Sequence, residues 1–289
     1  MKKPLNFEEY LASKVKLIDK TLHKLMPPGT ARPAALHSAM RYAVFTRGKR
    51  IRPVVCMAVC SACGGNEDDV LLPAASLELF HSYTLIHDDL PCMDNDVIRR
   101  GKPSVFVVYG EANALLAGDA LQALAFETIS RSLPPPGYSP NQFVIELARV
   151  AGSKGVVGGQ VEDLIAQNKK KISRTDMEFI HKHKTAHLFR TASRIGAITA
   201  GARKNILRAM DRYGYSLGMV FQLTDDILDS RDPNQTRKSF NYTTINGKQK
   251  TIKEITFFAQ KARESVSILG KNNSYLLISA VDMIVNRNV

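Results

Sequence analysis

The order of apolar and polar residues predicts helices along almost the whole chain. Apolar residues recur mostly at spacings of three and four, and long alternating runs of β-branched residues are rare. The segments between turn-forming clusters have the length of helices of about 10 to 25 residues. We therefore expect residues 1–289 to form one all-α domain in which long helices surround a central cavity. The turn-forming clusters lie at residues 27–29, 64–66, 134–137 and 232–234.

The hydropathy of the chain argues against a membrane protein. Hydrophobic residues make up 44% of the 289 positions, which is enough for a substantial core. No apolar run reaches the length of about 18 residues that a membrane-spanning helix requires. The first residues, MKKPLNFEEYLAS, lack the apolar stretch of a signal peptide. We expect no transmembrane segment and a cytoplasmic location.

The charge indicates an anionic partner. Lysine and arginine exceed aspartate and glutamate by 40 to 27, a formal net charge of +13. Phosphorylated metabolites, nucleic acids and membrane headgroups would all fit such a surface. However, the basic residues are scattered, and no zinc-finger, basic-zipper or RNP motif is present. We therefore expect no nucleic acid partner.

One acidic motif, QLTDDILD at 222–229, has the spacing of a metal site. On a helix, Asp225 and Asp229 lie one turn apart, so their carboxylates face the same way. Like charges at that spacing repel each other, and a bound divalent cation turns the repulsion into coordination. Magnesium favours a few carboxylates together with water and phosphate oxygens. The spacing therefore predicts a magnesium ligand pair.

A second acidic motif, HDDLPCMD at 87–94, points the same way. Pro91 cannot continue a regular helix, so Asp88 and Asp89 are predicted near a helix C-terminus. The negative end of the helix dipole disfavours carboxylates there unless a cation is present. An irregular turn through Pro91 can bring Asp94 back toward the same place. A single acidic cluster is equally compatible with a solvated surface, but two clusters within apolar sequence favour a site for several metal ions.

Basic residues supply the complementary charge. They stand in GKRIRP at 48–53, in Arg99-Arg100 and in HKT at 183–185. Each alone is typical of a solvated surface. Together with two metal motifs they provide the fixed positive charge that a pair of diphosphates requires.

These motifs resemble the bacterial and plant-type trans-prenyl diphosphate synthases, and most of all the bacterial-type farnesyl diphosphate synthases. The similarity runs from about residue 35 to 230 and more weakly beyond. It is carried, in the family's order, by MRYAVFTRGKRIRP, LELFHSYTLIHDDLPCMDND, RRGKPS, YGEANALLAGDALQALAFE, GGQVED, HKHKTA and FQLTDDILD. The resemblance implies the isoprenoid synthase fold, a bundle of long, mostly antiparallel helices around a deep central cavity, and a homodimer.

The resemblance also implies the roles of individual residues. Three Mg²⁺ ions, with Mn²⁺ as an alternative, would clamp an allylic diphosphate between the two aspartate motifs. The metal ligands would be Asp88, Asp89, Asp94, Asp225 and Asp229, with Asp226 in support. The allylic substrate would contact Arg99, Lys184 and Gln222, and isopentenyl diphosphate would contact Lys49, Arg52, His81 and Arg100. Thr185 and Gln222 would lie near the developing carbocation, and Gln160 and Asp163 would organise the wall and metal-bound water.

Product length is predicted from the helix that carries Asp88. Tyr83 lies five residues earlier and thus about 7.5 Å deeper, with Thr84 one turn below Asp88. An aromatic ring there would close a short pocket. In the resembling family, this arrangement accompanies a C15 product. Farnesyl diphosphate is therefore the expected product, with geranylgeranyl diphosphate as the alternative. Tyr83 would then be either the residue that limits product length or simply a residue packed in the core.

The segment after Asp229 departs from the family's pattern. SRDPNQTRKSFNYTTINGK is shorter than the usual loop, and Lys238 is the expected replacement for the loop lysine. The atypical loop keeps open a non-catalytic subunit that modulates an active synthase. A class I terpene cyclase is a further rival, but DDILD at 225–229 is unlike the second metal motif of cyclases.

Overall fold

The computed structural model describes residues 5–46, 48–169, 171–230 and 241–288 and confirms the predicted helical fold. Within these ranges the chain forms α1 (Phe7–Leu25), α2 (Ala34–Phe45), α3 (Ile51–Ala62), α4 (Glu67–Asp89), α5 (Val105–Tyr109), α6 (Glu111–Ser130), α7 (Gln142–Ala151), α8 (Val156–Gln167), α9 (Arg174–Ile180), α10 (His187–Thr199), α11 (Lys204–Asp229), α12 (Tyr242–Asn246), α13 (Lys248–Val266) and α14 (Lys271–Val285). A π-helical turn, His181–Ala186, joins α9 to α10, and short 3₁₀ turns span Ser267–Leu269 and Asn286–Asn288.

A small hairpin is the one strand pair among the described residues. Strands β1 (Ile98–Arg99) and β2 (Lys102–Pro103) pair antiparallel. Arg100 and Gly101 form the turn with φ values of 55° and 76°, the left-handed geometry that a two-residue hairpin favours. The helix-only prediction missed this hairpin, which is too short to give an alternating pattern.

The middle of the bundle is built from helices that are apolar on nearly all sides. Almost every residue of α3 is buried, and α4 buries Leu77, Leu79 and Phe80 completely. Helix α3 packs on α4 and α10 on α11, and a short connection within each pair makes the partners antiparallel. Helices α6 and α13 cover α4 and α11 from outside. Each fully buried leucine or phenylalanine contributes roughly 1.5–3 kcal/mol to stability.

An ion triad around the buried Arg50 fixes the start of α3. Arg50 precedes α3 in a left-handed conformation, with φ of 48°. Its Nε donates to Asp19 Oδ1 on α1 over 2.9 Å, and its Nη1 donates to Glu78 Oε1 on α4 over 2.7 Å. The side chains of Arg50 and Glu78 are each 2% exposed. Three elements are thus tied together through one guanidinium, which explains why this arginine is unavailable for a ligand.

Two glycines bring neighbouring helices against the π turn. A Cβ added to Gly159 of α8 would lie 2.5 Å from the Lys184 amide nitrogen. A Cβ added to Gly218 of α11 would lie 2.6 Å from Ala186 Cα. Both approaches are closer than any side chain permits, so the turn is enclosed between α8 and α11 by backbone contact. No helix in the described part of the chain has the length and hydropathy needed to cross a bilayer.

Candidate active site

The first aspartate motif folds back on itself at the end of α4. The helix ends at Asp89, as Pro91 predicted, and the Asp94 amide donates to the Asp88 carbonyl over 2.8 Å. The Asp96 amide donates to the Asp89 carbonyl over 3.1 Å. These bonds return the chain to the helix end and place Asp94 beside Asp88. The expectation that the irregular turn brings them together is confirmed.

The π turn carries the cation that faces this motif. Lys184 Nζ lies 2.6 Å from Asp163 Oδ2, 3.7 Å from Asp94 Oδ2 and 4.0 Å from Asp88 Oδ2. Burial opposes the charged ammonium, but these three carboxylates raise the Lys184 pKa above its ordinary value. A π-helical turn is rare and is frequent at functional sites, because its extra residue re-aims a side chain. Here it directs Lys184 at the aspartates of two other helices.

The Asp88 carboxyl has a strongly raised pKa. Burial raises its pKa to about 7, Lys184 opposes the rise, and Asp94 adds to it. A divalent cation beside this carboxyl would favour its ionised form and lower its pKa. Gln167 Nε2 donates to Asp94 Oδ1 over 3.0 Å and orients the second carboxylate.

Asp89 is engaged differently from its neighbours. Arg99 Nε donates to Asp89 Oδ1 over 2.9 Å, and Arg99 Nη2 contacts both Asp89 and Asp96, the latter over 2.9 Å. The hairpin β1–β2 holds Arg99 in place for this contact. The Asp89 carboxylate is therefore paired with Arg99, whereas Asp88 and Asp94 both lie near Lys184. Direct metal ligation by Asp89 stays a prediction.

The second aspartate motif occupies the last two turns of α11, as the spacing predicted. Burial raises the pKa of Asp225 to about 6, while Arg287 lowers it and Asp229 raises it. Lys49 and Arg52 also favour the charged form of Asp225. The carboxylate thus lies within the electrostatic reach of the cations expected for the second substrate.

Asp226 points into the protein. It is 2% exposed, and it accepts hydrogen bonds from Gln222 Nε2 over 2.9 Å and from the Tyr242 amide over 2.7 Å. His181 Nε2 lies 3.2 Å from Asp226 Oδ2, the oxygen that also accepts from the Tyr242 amide. These contacts fit the supporting role implied by the resemblance, because they tie α11 to α12 and to the π turn.

A hydrogen-bonded chain joins the two halves of the site. Thr185 Oγ1 donates to Gln222 Oε1 over 2.7 Å, and Gln222 in turn donates to Asp226. Lys184 is the neighbour of Thr185 on the π turn. Lys184 therefore faces the first aspartate motif, and Thr185 faces the second through Gln222. The π turn thus brings Lys184, Thr185 and Gln222 close together.

A separate group of cations surrounds His81. Arg52 Nη1 lies 3.0 Å from His81 Nε2, and its guanidinium lies 4.8 Å from the centre of the Phe189 ring. Burial is the largest cause that lowers the His81 pKa well below its ordinary value, and the charges of Arg52 and Arg100 lower it further. His81 is therefore neutral and accepts from Arg52. Arg52 Nε is buried without a hydrogen-bond partner among the described residues, as expected of a donor reserved for an anion.

Two residues on α4 were expected to limit product length. Tyr83 is 8% exposed, and its ring packs edge-on against Phe80 at 5.3 Å and His87 at 4.9 Å. Burial raises its pKa, and the charge of Asp88 adds to the rise. Thr84 donates to the His81 carbonyl over 2.8 Å and so serves its own helix. Tyr83 therefore lies within the field of the metal motif, and Thr84 does not present a free hydroxyl.

Sequence reasoning missed Arg287, which follows α14. Its guanidinium lies 5.3 Å from the centre of the Phe221 ring, and its charge favours ionised Asp225. A single arginine near a chain end carries no motif, so only the packing of α14 identifies it. Lys238, the expected loop lysine, lies outside the described residues.

The donor set fits magnesium in one particular way. In the part of the chain that the structure describes, no three carboxylate, imidazole or thiol groups gather closely enough to hold a metal ion alone. Magnesium is commonly held by one or two carboxylates plus substrate phosphates. Two carboxylates with raised pKa, Asp88 and Asp225, on two separate helix ends match that mode. Asp94 is the second carboxylate beside Asp88, and Asp229 is the second carboxylate beside Asp225.

Comparisons with known proteins agree with this geometry. Residues 33–274 match the family model described as polyprenyl synthetase. The chain is 36% identical to a geranylgeranyl diphosphate synthase from Cyanophora paradoxa, covering 98% of this chain and 97% of that protein. It is 35% identical to the heterodimeric geranylgeranyl pyrophosphate synthase large subunit 2 of Arabidopsis thaliana, covering 98% and 77%. The crystal structure of a FPP/GFPP synthase from Zymomonas mobilis superposes with a TM-score of 0.86 at 31% identity, covering 96% and 98%.

Proposed function

The chain belongs to the polyprenyl synthetase family and is a prenyltransferase, and we propose that it condenses isopentenyl diphosphate with dimethylallyl and geranyl diphosphates to give mainly farnesyl diphosphate. The observation that carries the proposal is the position of Lys184 and Thr185. Lys184 reaches toward Asp88 and Asp94, and Thr185 bonds Gln222 beside the second motif. An allylic diphosphate between the motifs would contact both.

Different residues have different roles in ionising the allylic substrate. We assign Asp88 and Asp94 on one side, and Asp225 and Asp229 on the other, as ligands of three magnesium ions. Magnesium would neutralise the leaving diphosphate so that the allylic C–O bond can ionise. Lys184 and Arg99 bind the same diphosphate, and Thr185 and Gln222 present oxygen dipoles to the allylic carbon as positive charge develops.

The second substrate is placed by the cations around His81. Lys49, Arg52 and Arg100 hold the isopentenyl diphosphate, and neutral His81 orients Arg52. The double bond of isopentenyl diphosphate then attacks the allylic cation, and one proton is lost to the departing diphosphate. The product is longer by five carbons. Because the new bond uses the π electrons of the substrate, no protein nucleophile is needed.

The C15 product is supported by Tyr83. An aromatic ring about 7.5 Å below the metal motif limits a growing hydrocarbon to a short pocket. Geranylgeranyl diphosphate is the second candidate, because the Cyanophora and Arabidopsis relatives carry that name. A C15-forming and a C20-forming enzyme would use the same reaction steps. They would differ only in the depth of the pocket that holds the growing hydrocarbon.

We further propose a homodimer. Val107 and Val108 of α5 and Leu115 and Leu116 of α6 are between 47% and 54% exposed. Four large apolar side chains on adjoining helices form a patch that a second copy of the chain would cover. Sedimentation of the protein as a dimer, and of a Leu116→Lys variant as a monomer, is the expected result.

The function is tested by product analysis of the purified chain. It is incubated with magnesium, labelled isopentenyl diphosphate and geranyl diphosphate, and the dephosphorylated products are separated by length. A main C15 product that disappears in Asp88→Ala and Asp225→Ala variants supports the proposal. A main C20 product keeps the reaction and overturns the assignment of Tyr83. A folded protein that binds diphosphate without elongating it points to a modulatory subunit.

A further inference from the structure

A cavity with a volume of about 560 Å³ lies between the start of α10, the first half of α11 and the end of α13. Its walls include Lys182, His187, Arg190, Arg212, Phe258 and Lys261. None of these residues belongs to the two aspartate motifs or to the cations around His81. The volume suits a ligand of small-molecule size.

The charge of this cavity is predominantly positive. Arg190 Nε donates to Asp211 Oδ1 over 2.8 Å, an oxygen that also accepts from Arg194, and Lys261 Nζ lies 3.2 Å from Glu264 Oε2, so both carboxylates of the wall are already paired. In the described ranges, Lys182 and Arg212 form no ion pair. Two unbalanced cations on the wall of one concave site are suited to an anionic group.

The rest of the wall combines aromatic rings with the hydroxyl residues Ser216 and Ser265. The rings of Tyr215 and Phe258 meet edge-on at 6.1 Å. The His187 ring lines the same cavity, and its Nε2 is buried with no hydrogen-bond partner among the described residues. Burial and the neighbouring His183 lower the His187 pKa to about 4, so this imidazole is neutral. A wall that combines neutral rings with cations matches a ligand with an anionic head and a short apolar tail.

We propose that this cavity is a regulatory site for a small phosphate monoester with a short hydrocarbon tail. Lys182 and Arg212 bind the phosphate, and Tyr215 and Phe258 cover the tail. Lys182 belongs to the π turn, and His187 is the first residue after it. The occupied site therefore contacts both ends of the turn that carries Lys184 and Thr185.

The π turn provides the link to the reaction. A ligand shifts a conformational equilibrium only by binding one arrangement better than another. A phosphate fixed to Lys182 favours the arrangement in which this side chain turns toward α11 and α13. Lys184, two residues further on, then keeps a fixed direction toward Asp88. This regulatory part rests on the proposed prenyl transfer, whereas binding to the cavity does not.

The binding is tested with hexyl phosphate as the probe and the His187 ring as the reporter. Imidazole resonances are recorded by NMR while hexyl phosphate, inorganic phosphate or hexanol is added to the native protein and to an Arg212→Ala variant. We expect a saturable His187 shift with hexyl phosphate and a weaker one with inorganic phosphate. The Arg212→Ala variant should need about tenfold more hexyl phosphate, since a lost charge-assisted contact is worth about 1.4 kcal/mol.

Activity provides the second readout. Hexyl phosphate should change kcat or the KM for geranyl diphosphate by about twofold or more in the native enzyme and not, at the same concentration, in the Arg212→Ala variant, whose basal rate should be unchanged. An unshifted His187, or equal shifts in both proteins, overturns the site. A normal His187 titration with no change in either kinetic constant overturns the regulatory part and leaves the proposed prenyl transfer intact.

Discussion

Lys184 Nζ lies 2.6 Å from Asp163 Oδ2, and this ion pair joins the π turn to α8. Asp94 and Asp88 lie farther from the same ammonium, at 3.7 and 4.0 Å. Asp163 therefore holds Lys184 at a distance from the two carboxylates that we assign to magnesium. The lysine remains available for the diphosphate.

Replacing Asp163 by asparagine should raise the magnesium concentration that the reaction needs. Without its nearest partner, Lys184 would pair with Asp88 and Asp94 and compete with the metal. We expect the magnesium concentration for half-maximal rate to rise several-fold and kcat to fall by about tenfold or more, because catalytic groups lose efficiency when misplaced. Steady-state rates across a magnesium titration check this. Glu162→Gln is the matched control, and an unchanged magnesium requirement in Asp163→Asn would contradict the assignment.

Removing the Tyr83 ring should lengthen the product. Tyr83→Ala opens the space next to Phe80 and His87, so we expect C20 and longer products in place of C15. Tyr83→Phe keeps the ring and should keep the product. Chain-length separation of the dephosphorylated products measures both. The role of Tyr83 fails if the alanine variant retains the native product distribution while it remains active.

Magnesium binding should strengthen as pH rises from about 6 to 8, because metal and proton compete for Asp88 and Asp225. Their pKa values in the folded, metal-free protein are raised to about 7 and about 6 from the ordinary value of 3.8. A raised carboxyl pKa stabilises the metal-free fold fully below pH 3.8, and this contribution is lost as pH rises through 6 and 7. The increase in Tm on adding magnesium should therefore grow with pH over this range. A smaller growth is expected in Asp88→Asn, and an equal growth would exclude Asp88 as the titrating group.

Arg287→Ala should impair binding of isopentenyl diphosphate more than of geranyl diphosphate. The charge of Arg287 lowers the pKa of Asp225, as do the charges of Lys49 and Arg52. Lys49 and Arg52 are the cations assigned to isopentenyl diphosphate. Loss of one charge-assisted contact corresponds to a rise in KM of about tenfold. Separate KM measurements for the two substrates give the result. Lys271→Ala, an exposed cation at the start of the same α14, is expected to leave both constants unchanged.

Glu78→Ala should lower the free energy of unfolding by about 3 kcal/mol or more, because it leaves buried Arg50 without one of its two carboxylates. Urea denaturation of the metal-free protein measures the change. Glu127→Ala removes a surface pair with Arg131 in which both side chains are more than half exposed. That variant should stay within about 1 kcal/mol of the native protein. Equal losses in the two variants would show that burial of the Arg50–Glu78 pair has no effect.

The helical fold and the helical placement of the two aspartate motifs were predictable because their signals are local. Proline ends α4, and a spacing of four residues aligns Asp225 with Asp229. The helical pattern required no knowledge of distant contacts.

The departures from prediction come from long-range packing. The sequence does not distinguish the π-helical geometry around Lys184, because one extra residue in a turn leaves no mark on hydropathy. The inward orientation of Asp226 depends on the Tyr242 amide and on His181, which come from other elements. Arg287 enters the site only because α14 ends beside Phe221.

The glycines at 159 and 218 have a consequence for how this protein can evolve. They admit α8 and α11 to backbone contact with the π turn, so a methyl group at either place would displace Lys184 or Ala186. Mutational change is thereby restricted at the wall to which we assign ionisation of the allylic substrate. The wall around Tyr83 is made of side chains, which can be exchanged one at a time. Divergence in product length should therefore accumulate along α4, while the π turn tolerates almost none.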